Sequence, residues 1–249
     1  MSYSVILPTF NEGGHIVNLI KKIQNVFKKL KCKYEIIIID DNSNDNTQIS
    51  IKKNFYSNFV KLFVRKKKRS LVNSINEGIL QSSNNYIIWM DADFQHPPSY
   101  IEKFIKLSKT NDAIIFSRFL NNSKRFYNNI DKQKNTNTRF SNFLNKLGNL
   151  FLYKDITDYT SGFICVNKKL LKKKLIGHYG DYFMYLIYEL KKNKVKTLEL
   201  PFTEQMRKTG KSKTTAGYLS YAVKLYYYTL AFFIIFIKKN FYSEYNFNY

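Results

Sequence analysis

Short apolar runs alternate along this chain with stretches of helical periodicity, and the runs end in polar residues. Residues 5–7 are apolar and stop at Pro8. Residues 34–39 are almost continuously apolar and end in Asp40-Asp41-Asn42-Ser43. Residues 60–64 and 86–90 repeat the pattern, which is that of buried strands. Between the first two runs, Ile16, Leu19, Ile20, Ile23, Phe27 and Leu30 recur every three or four positions, as on one face of a helix. Residues 47–56 and 71–82 are expected to form two more helices. Strands alternating with helices predict a largely parallel sheet with helices on both faces. Further on, the pattern predicts helices over 99–109, 139–152 and 181–192, and strands over 112–116, 163–166 and 195–200. Residues 121–138 are rich in Asn and Lys with little apolar content, and read as a mobile loop or lid. The prolines, at 8, 97, 98 and 201, all fall at expected strand exits, where a missing N–H ends a ladder.

The run at 87–90 ends in Asp91-Ala92-Asp93-Phe94-Gln95-His96-Pro97-Pro98. Asp91 and Asp93 therefore lie where a strand leaves the sheet, the edge at which open α/β sheets bind ligands. Alternate residues of an extended segment face the same way, so both carboxylates can address one point. Two hard oxygen donors suit Mg²⁺ or Mn²⁺, with a substrate diphosphate completing the shell. Two solvated turn aspartates would give the same short string.

Composition changes this picture in one respect. Across 249 residues the hydrophobic fraction is an ordinary 44%, but the formal net charge is +23. Such a charge suits nucleic acid, anionic membrane or phosphorylated substrates. Most of it is lysine, and Asn, Ile, Phe and Tyr are also abundant, a set favoured by A/T-rich codons. The arginines, at 65, 69, 118, 125, 139 and 207, are thus the more informative cations, since only Arg offers a planar fork to phosphate. Cys32 and Cys165 are too few for a disulfide scaffold or zinc site and read as reduced thiols facing a cytosol. No signal peptide is expected.

Residues 218–237 carry a single charge, Lys224, and are followed by Lys238 and Lys239. Three readings stay open: a helix lying in a membrane interface, one membrane span, or an ordinary buried helix. The first two would turn the basic surface toward anionic headgroups.

Several strand exits together carry a resemblance. Pro8-Thr9-Phe10-Asn11-Glu12, Asp40-Asp41-Asn42-Ser43-Asn44-Asp45, the Asp91–Pro98 string, Ser161-Gly162-Phe163 and Arg207-Lys208-Thr209-Gly210-Lys211-Ser212-Lys213 follow in that order. Over roughly residues 3–215 the chain resembles glycosyltransferase family 2, and within it the dolichyl-phosphate mannose synthases and related polyprenyl-phosphate glycosyltransferases. The resemblance implies an α/β GT-A fold, a Rossmann-like nucleotide-binding sheet, over residues 1–215. A membrane-associating segment of C-terminal membrane-interface helices would follow over 216–249.

The same resemblance implies roles. Pro8, Phe10, Glu12, Ile39 and Asp41 would line the nucleotide-sugar pocket together with Asp91 and Ala92. Asp91, Asp93 and Gln95 would hold Mg²⁺ or Mn²⁺. Asp93, Arg118, Arg207 and Lys213 would act in catalysis, and Arg139, Arg207 and Lys213 would bind the acceptor phosphate. Asp155 and Asp158 would position the acceptor-side loop or serve structurally. The family often has Gly where this chain has Ser70, Ala where it has Ser74, Gly-Ser-Arg-Tyr where it reads Phe116-Ser117-Arg118-Phe119, and Tyr where it has Phe10.

The implied reaction moves a hexose from a nucleotide sugar, foremost GDP-mannose, to a dolichyl or polyprenyl phosphate. The lipid phosphate is already anionic near neutral pH, so no strong general base is required. His15, His96 and His178 accordingly show no dyad spacing, and His96 reads as a turn residue beside the metal loop. In-line attack would invert the anomeric centre. The expected setting is membrane-associated with the site facing the cytosol, with small membrane-protein subunits as conceivable partners. UDP-sugar donors or a glycan acceptor form the alternative within the class. A nucleic-acid-binding protein is disfavoured, because carboxylates at the strand ends would repel a phosphate backbone. An inactive scaffold is disfavoured by the intact Asp91, Asp93, Gln95, Arg207 and Lys213.

Overall fold

The computed structural model describes residues 1–55, 58–120, 124–125, 132–205 and 218–241, with side chains described outside 121–139 and 206–221. The first half runs β1 (Ser2–Thr9), α1 (Ile16–Leu30), β2 (Lys33–Asp40), α2 (Thr47–Asn54), β3 (Val60–Val64), α3 (Leu71–Gln81) and β4 (Tyr86–Trp89). A 3₁₀ turn at Pro98–Tyr100 leads into α4 (Ile101–Leu107), β5 (Ala113–Ser117) and the short β6 (Lys124–Arg125). Then come α5 (Lys132–Leu147) with a π-helical turn at Gly148–Leu152, β7 (Ile164–Asn167), α6 (Tyr182–Lys192), β8 (Thr197–Pro201), β9 (Thr203–Glu204) and α7 (Tyr218–Phe241).

The described strands form a seven-stranded sheet in the order β3-β2-β1-β4-β7-β5-β8, with β6 and β9 paired separately. β7 runs antiparallel to both its neighbours, β4 and β5, while the other pairings in this sheet are parallel. Period-two alternation sorts the strand side chains between two cores. Val5, Leu7, Ile36, Ile38, Ile88 and Ile114 pack under α1, α2 and α4. Ile6, Ile37, Ile39, Ile87, Trp89 and Ile115 pack under α3, α5, α6 and α7. The sheet is thus covered on both faces, as its apolar strands require.

Three expectations change. The polar segment before residue 139 is not wholly a loop, since α5 begins at Lys132. The remainder, 121–123 and 126–131, lies outside the described residues. The C-terminal helix is not a separate appendage beyond residue 215. Tyr228, Ala231, Phe232 and Ile235 of α7 are buried in the same core as the sheet. Pro8 and Pro201 also sit within the last two residues of β1 and β8 rather than beyond them.

Candidate functional site

Strand order reverses between β1 and β4: β2 and β3 lie on one side of β1, and β4, β7, β5 and β8 on the other. At this switch point the chain leaves both strands at the same edge, and a crevice opens there. A cavity of about 1000 Å³ occupies it. Pro8, Thr9, Phe10 and Glu12 come from the exit of β1, Asp41 from that of β2, and Asp91, Ala92 and Asp93 from that of β4.

The Asp91–Asp93 turn is anchored by two histidines. The Asp91 N–H donates to Nδ1 of His96 at 3.0 Å. His96 is buried and stacks on Phe163 with ring centroids 4.6 Å apart. Burial pushes its pKa down to about 4, so it is a neutral acceptor with the proton on Nε2. His15 Nε2 lies 2.9 Å from the Ala92 carbonyl and 2.9 Å from Glu12 Oε2. Both partners are acceptors, so Nε2 carries the proton and ties the β1 exit to the β4 exit. Asp93 is 2% exposed and accepts from the Gln95 N–H at 2.9 Å, whereas Asp91 is exposed. Phe94 follows at φ 70°, a left-handed conformation rare for a bulky residue and a sign of strain at this turn.

On the β2 side, Asp41 is held at both oxygens. Oδ1 pairs with the Arg65 guanidinium, and Oδ2 accepts from the Ser70 N–H at 2.9 Å. Arg65 also donates to Ser74 Oγ at 3.1 Å, and Ser70 Oγ caps α3 through the Asn73 N–H. Both serines that depart from the family pattern are therefore used. The Arg69 guanidinium lies 4.5 Å from the centroid of the Phe10 ring, a cation–π contact at the cavity wall.

A third part of the wall is Thr160, Ser161 and Gly162, which lead into β7. Arg118 fixes this segment. Its Nε and Nη2 donate to the two oxygens of Asp158 at 2.8 and 2.9 Å, and Nη2 reaches Thr160 Oγ1 at 2.7 Å. Asp158 is fully buried. Burial alone would disfavour the Arg118 charge, but Asp158 and Glu204 outweigh it and raise its pKa. Beneath the segment, Glu199 accepts from Thr157 and Asp158, and burial pushes its pKa up to about 7.

The opposite wall is aromatic. Gly177, His178, Tyr179, Gly180 and Tyr182 face Val223, Lys224, Tyr227 and Tyr228 of α7. His178 stacks on Tyr227 at 3.9 Å, nearly parallel. The Asp181 carboxylate accepts from the N–H groups of His178 and Tyr179, which fixes the turn. A Cβ on Gly180 would collide with the Tyr228 hydroxyl, so glycine is what allows α7 this close.

The structure brings together Pro8, Phe10, Glu12, Asp41, Asp91, Ala92 and Asp93. Ile39 is instead wholly buried in the core beneath α3. Gln95 is not on the cavity wall; its backbone serves Asp93 and, through its carbonyl, the Gln205 N–H. Arg118 is spent on Asp158 rather than exposed to a ligand. Arg207, Lys213 and the Arg139 side chain lie outside the described residues. Sequence reasoning placed His96 as a turn residue beside the metal loop, where it is found, but missed His15, the position of Arg69 and the aromatic wall. Only Arg69 had a signal, as a scarce arginine.

Comparison with known proteins agrees with this geometry. Residues 4–175 match the family described as Glycosyl transferase family 2. A dolichol-phosphate mannosyltransferase of Pyrococcus furiosus is 33% identical over 221 residues, 86% of this chain and 59% of that protein. The dolichol-phosphate mannosyltransferase of Saccharomyces cerevisiae is 30% identical over 108 residues, 43% of this chain and 40% of that protein. An undecaprenyl-phosphate 4-deoxy-4-formamido-L-arabinose transferase of Proteus mirabilis is 25% identical over 126 residues, 50% of this chain and 39% of that protein. The chain therefore spans less than two thirds of the length of these relatives. Among solved structures, glucosyl-3-phosphoglycerate synthase from Mycobacterium tuberculosis, in complex with Mn²⁺, UDP and glucosyl-3-phosphoglycerate, superposes with a TM-score of 0.67. That match covers 94% of this chain and 79% of the other at 14% identity, and establishes a shared GT-A fold.

Proposed function

This chain belongs to glycosyltransferase family 2, and from that premise we propose that it transfers a hexose from a nucleotide sugar to a polyprenyl phosphate. The observation that carries the reading is the meeting of Asp91 and Asp93 with Glu12 and Asp41 around one cavity at the sheet's switch point. GDP-mannose is the foremost donor and dolichyl or another polyprenyl phosphate the acceptor. UDP-sugars are the alternative donors.

The donor set fits a divalent cation. Asp91 and Asp93 offer hard carboxylate oxygens at one end of the cavity, and no group of three or more His, Cys, Asp or Glu able to hold a metal by itself occurs among the described residues. That suits Mg²⁺ or Mn²⁺, which complete their shells with substrate phosphates. Bound there, the cation would supply charge neutralisation for the leaving diphosphate. The chain's own groups do the rest. His15 and His96 hold the Asp91–Asp93 turn in register with β1. Phe10, with Arg69 behind it, offers a stacking face to a nucleobase. Glu12 and Asp41 present acceptors for base or ribose donors. The segment 160–162 and the aromatic wall narrow the cavity and exclude water from the reacting centre. Arg139, Arg207 and Lys213 are the proposed acceptor-phosphate ligands.

The deciding experiment is a panel of GDP- and UDP-sugars with a short polyprenyl phosphate and added Mn²⁺. One donor should give glycolipid, and Asp93→Ala should lower kcat/KM by on the order of 10²–10³-fold without unfolding the protein. Folded wild-type protein that gives no product from any donor would overturn the reading.

We further propose that this enzyme works at an anionic membrane surface, facing the cytosol. Tyr226, Leu230, Phe233, Ile237 and Phe241 of α7 are exposed at helical spacing, an apolar stripe ending beside Lys238 and Lys239. No described helix is long and apolar enough to cross a membrane. Phe233→Glu with Ile237→Glu should release the protein from phosphatidylglycerol vesicles in a flotation assay. Unchanged flotation would remove the stripe from the argument.

A further inference from the structure

Lys224 is the one charged side chain in residues 218–237, and it is on the unexpected face of its helix. The outer face of α7 carries Tyr226, Leu230 and Phe233, where a lysine would be fully hydrated. Lys224 instead shares the inner face with Tyr228, Ala231 and Ile235, all buried. Its stem runs over this packed face, with the ammonium 5.9 Å from the Tyr228 ring centroid, and it lines the same cavity as Asp91 and Asp93. Among the described residues no carboxylate forms an ion pair with it. Asp91 attracts it across the cavity but not at ion-pair distance, and a lysine drawn from water with no carboxylate in contact is disfavoured unless a ligand completes the countercharge.

The charges of the cavity say what that ligand is. Arg65 and Arg118 stand behind the wall, committed to buried carboxylates; of the cations that line the cavity, Arg69 lies over Phe10, Lys68 is beside it in the chain, and Lys224 comes from α7. A nucleoside diphosphate or a lipid monophosphate arriving near Asp91 and Asp93 adds negative charge that a single divalent cation does not cancel. Lys224 is a cation on the facing wall.

We propose that Lys224 is a phosphate-binding residue of this cavity, its ammonium donating to a non-bridging phosphate oxygen of the bound substrate. The inference rests on the glycosyl-transfer reading and extends the phosphate site onto α7. The donor diphosphate and the acceptor monophosphate share the required chemistry, and the test separates them.

The wild-type 249-residue chain, Lys224→Met and Lys224→Arg are compared. Methionine keeps the apolar stem on the packed face, and a melting curve confirms that it folds. Two direct binding measurements are made without turnover: GDP and UDP with Mn²⁺, and a short polyprenyl monophosphate. Lys224→Met should weaken one of them roughly 10- to 100-fold, the scale of a charge-assisted hydrogen bond, and Lys224→Arg should recover most of the loss. Weakened nucleotide binding assigns Lys224 to the donor diphosphate. Weakened lipid binding with nucleotide affinity intact assigns it to the acceptor. Lys224→Met that binds both ligands within about twofold of wild type overturns the inference, whatever the donor panel shows. Wild-type protein that binds neither ligand overturns the transfer reading itself.

Discussion

The two walls of the cavity are built by different physics. The wall from the exits of β1, β2 and β4 and from residues 157–162 is polar, and nearly every carboxylate on it is held by backbone N–H groups, a histidine or an arginine. On the facing wall the buried Asp181 carboxylate fixes the turn at 177–180, but the join between that turn and α7 is made by ring stacking and by the contact at Gly180. Buried charge tolerates little displacement, since moving a partner leaves an uncompensated ion. Stacked rings slide at a cost of about 1 kcal/mol. The polar wall is therefore a fixed template, and the aromatic wall is the side able to move as ligands enter and leave.

Breaking the Arg118–Asp158 pair should have the largest effect. Arg118→Met strands a fully buried carboxylate and should cost about 3–5 kcal/mol of stability, read as a lowered urea midpoint. The double variant with Asp158→Asn should recover part of that loss. If Arg118→Met melts like wild type, the polar wall is not the rigid one.

His96 sharpens the same point through pH. Its pKa is held near 4 in the folded chain against about 6.5 when unfolded. Between those values the unfolded chain binds a proton that the native chain does not, so stability falls as pH drops through the window. The loss should approach ~3 kcal/mol by pH 4. Unfolding free energies of wild type and His96→Gln from pH 7 to pH 4 should converge, because only wild type carries this term. Parallel curves would refute the assignment.

The smallest effect on the fold should come from the aromatic wall. Gly180→Ala meets the Tyr228 hydroxyl and should push α7 outward, at about 1–3 kcal/mol. Because α7 walls the cavity, nucleotide or lipid affinity should change along with stability. A variant that loses stability but keeps both affinities would show that α7 packs without shaping the site.

The same contrast explains what could be read from the chain. The polar wall was legible because strand exits punctuate the sequence: Pro8, Asp41 and Asp91-Ala92-Asp93 each close an apolar run that period-two burial places on the sheet. Ile39 was misplaced because a strand's last apolar residue can face either side, and here alternation turns it to the core under α3. Arg118 was misread because the burial of Asp158 is decided forty residues away. Residues 132–138 are polar all round, so their helix has no periodic signature; it is continuous with the apolar turn of α5 around Leu144. His178, Tyr179, Tyr227 and Tyr228 form no motif, since they meet only once α7 packs on α6.

β7 has a further consequence. It is the strand that enters the sheet at the edge where its neighbours leave, so the cavity receives Thr160–Ser161–Gly162 from a segment that precedes a strand rather than follows one. The length of that segment is set by α5 and its π-turn, independently of the register among β1, β2 and β4. Evolution can therefore lengthen, shorten or exchange this entrance without disturbing the aspartate turn. One aspartate template can in this way be combined with entrances of different shapes.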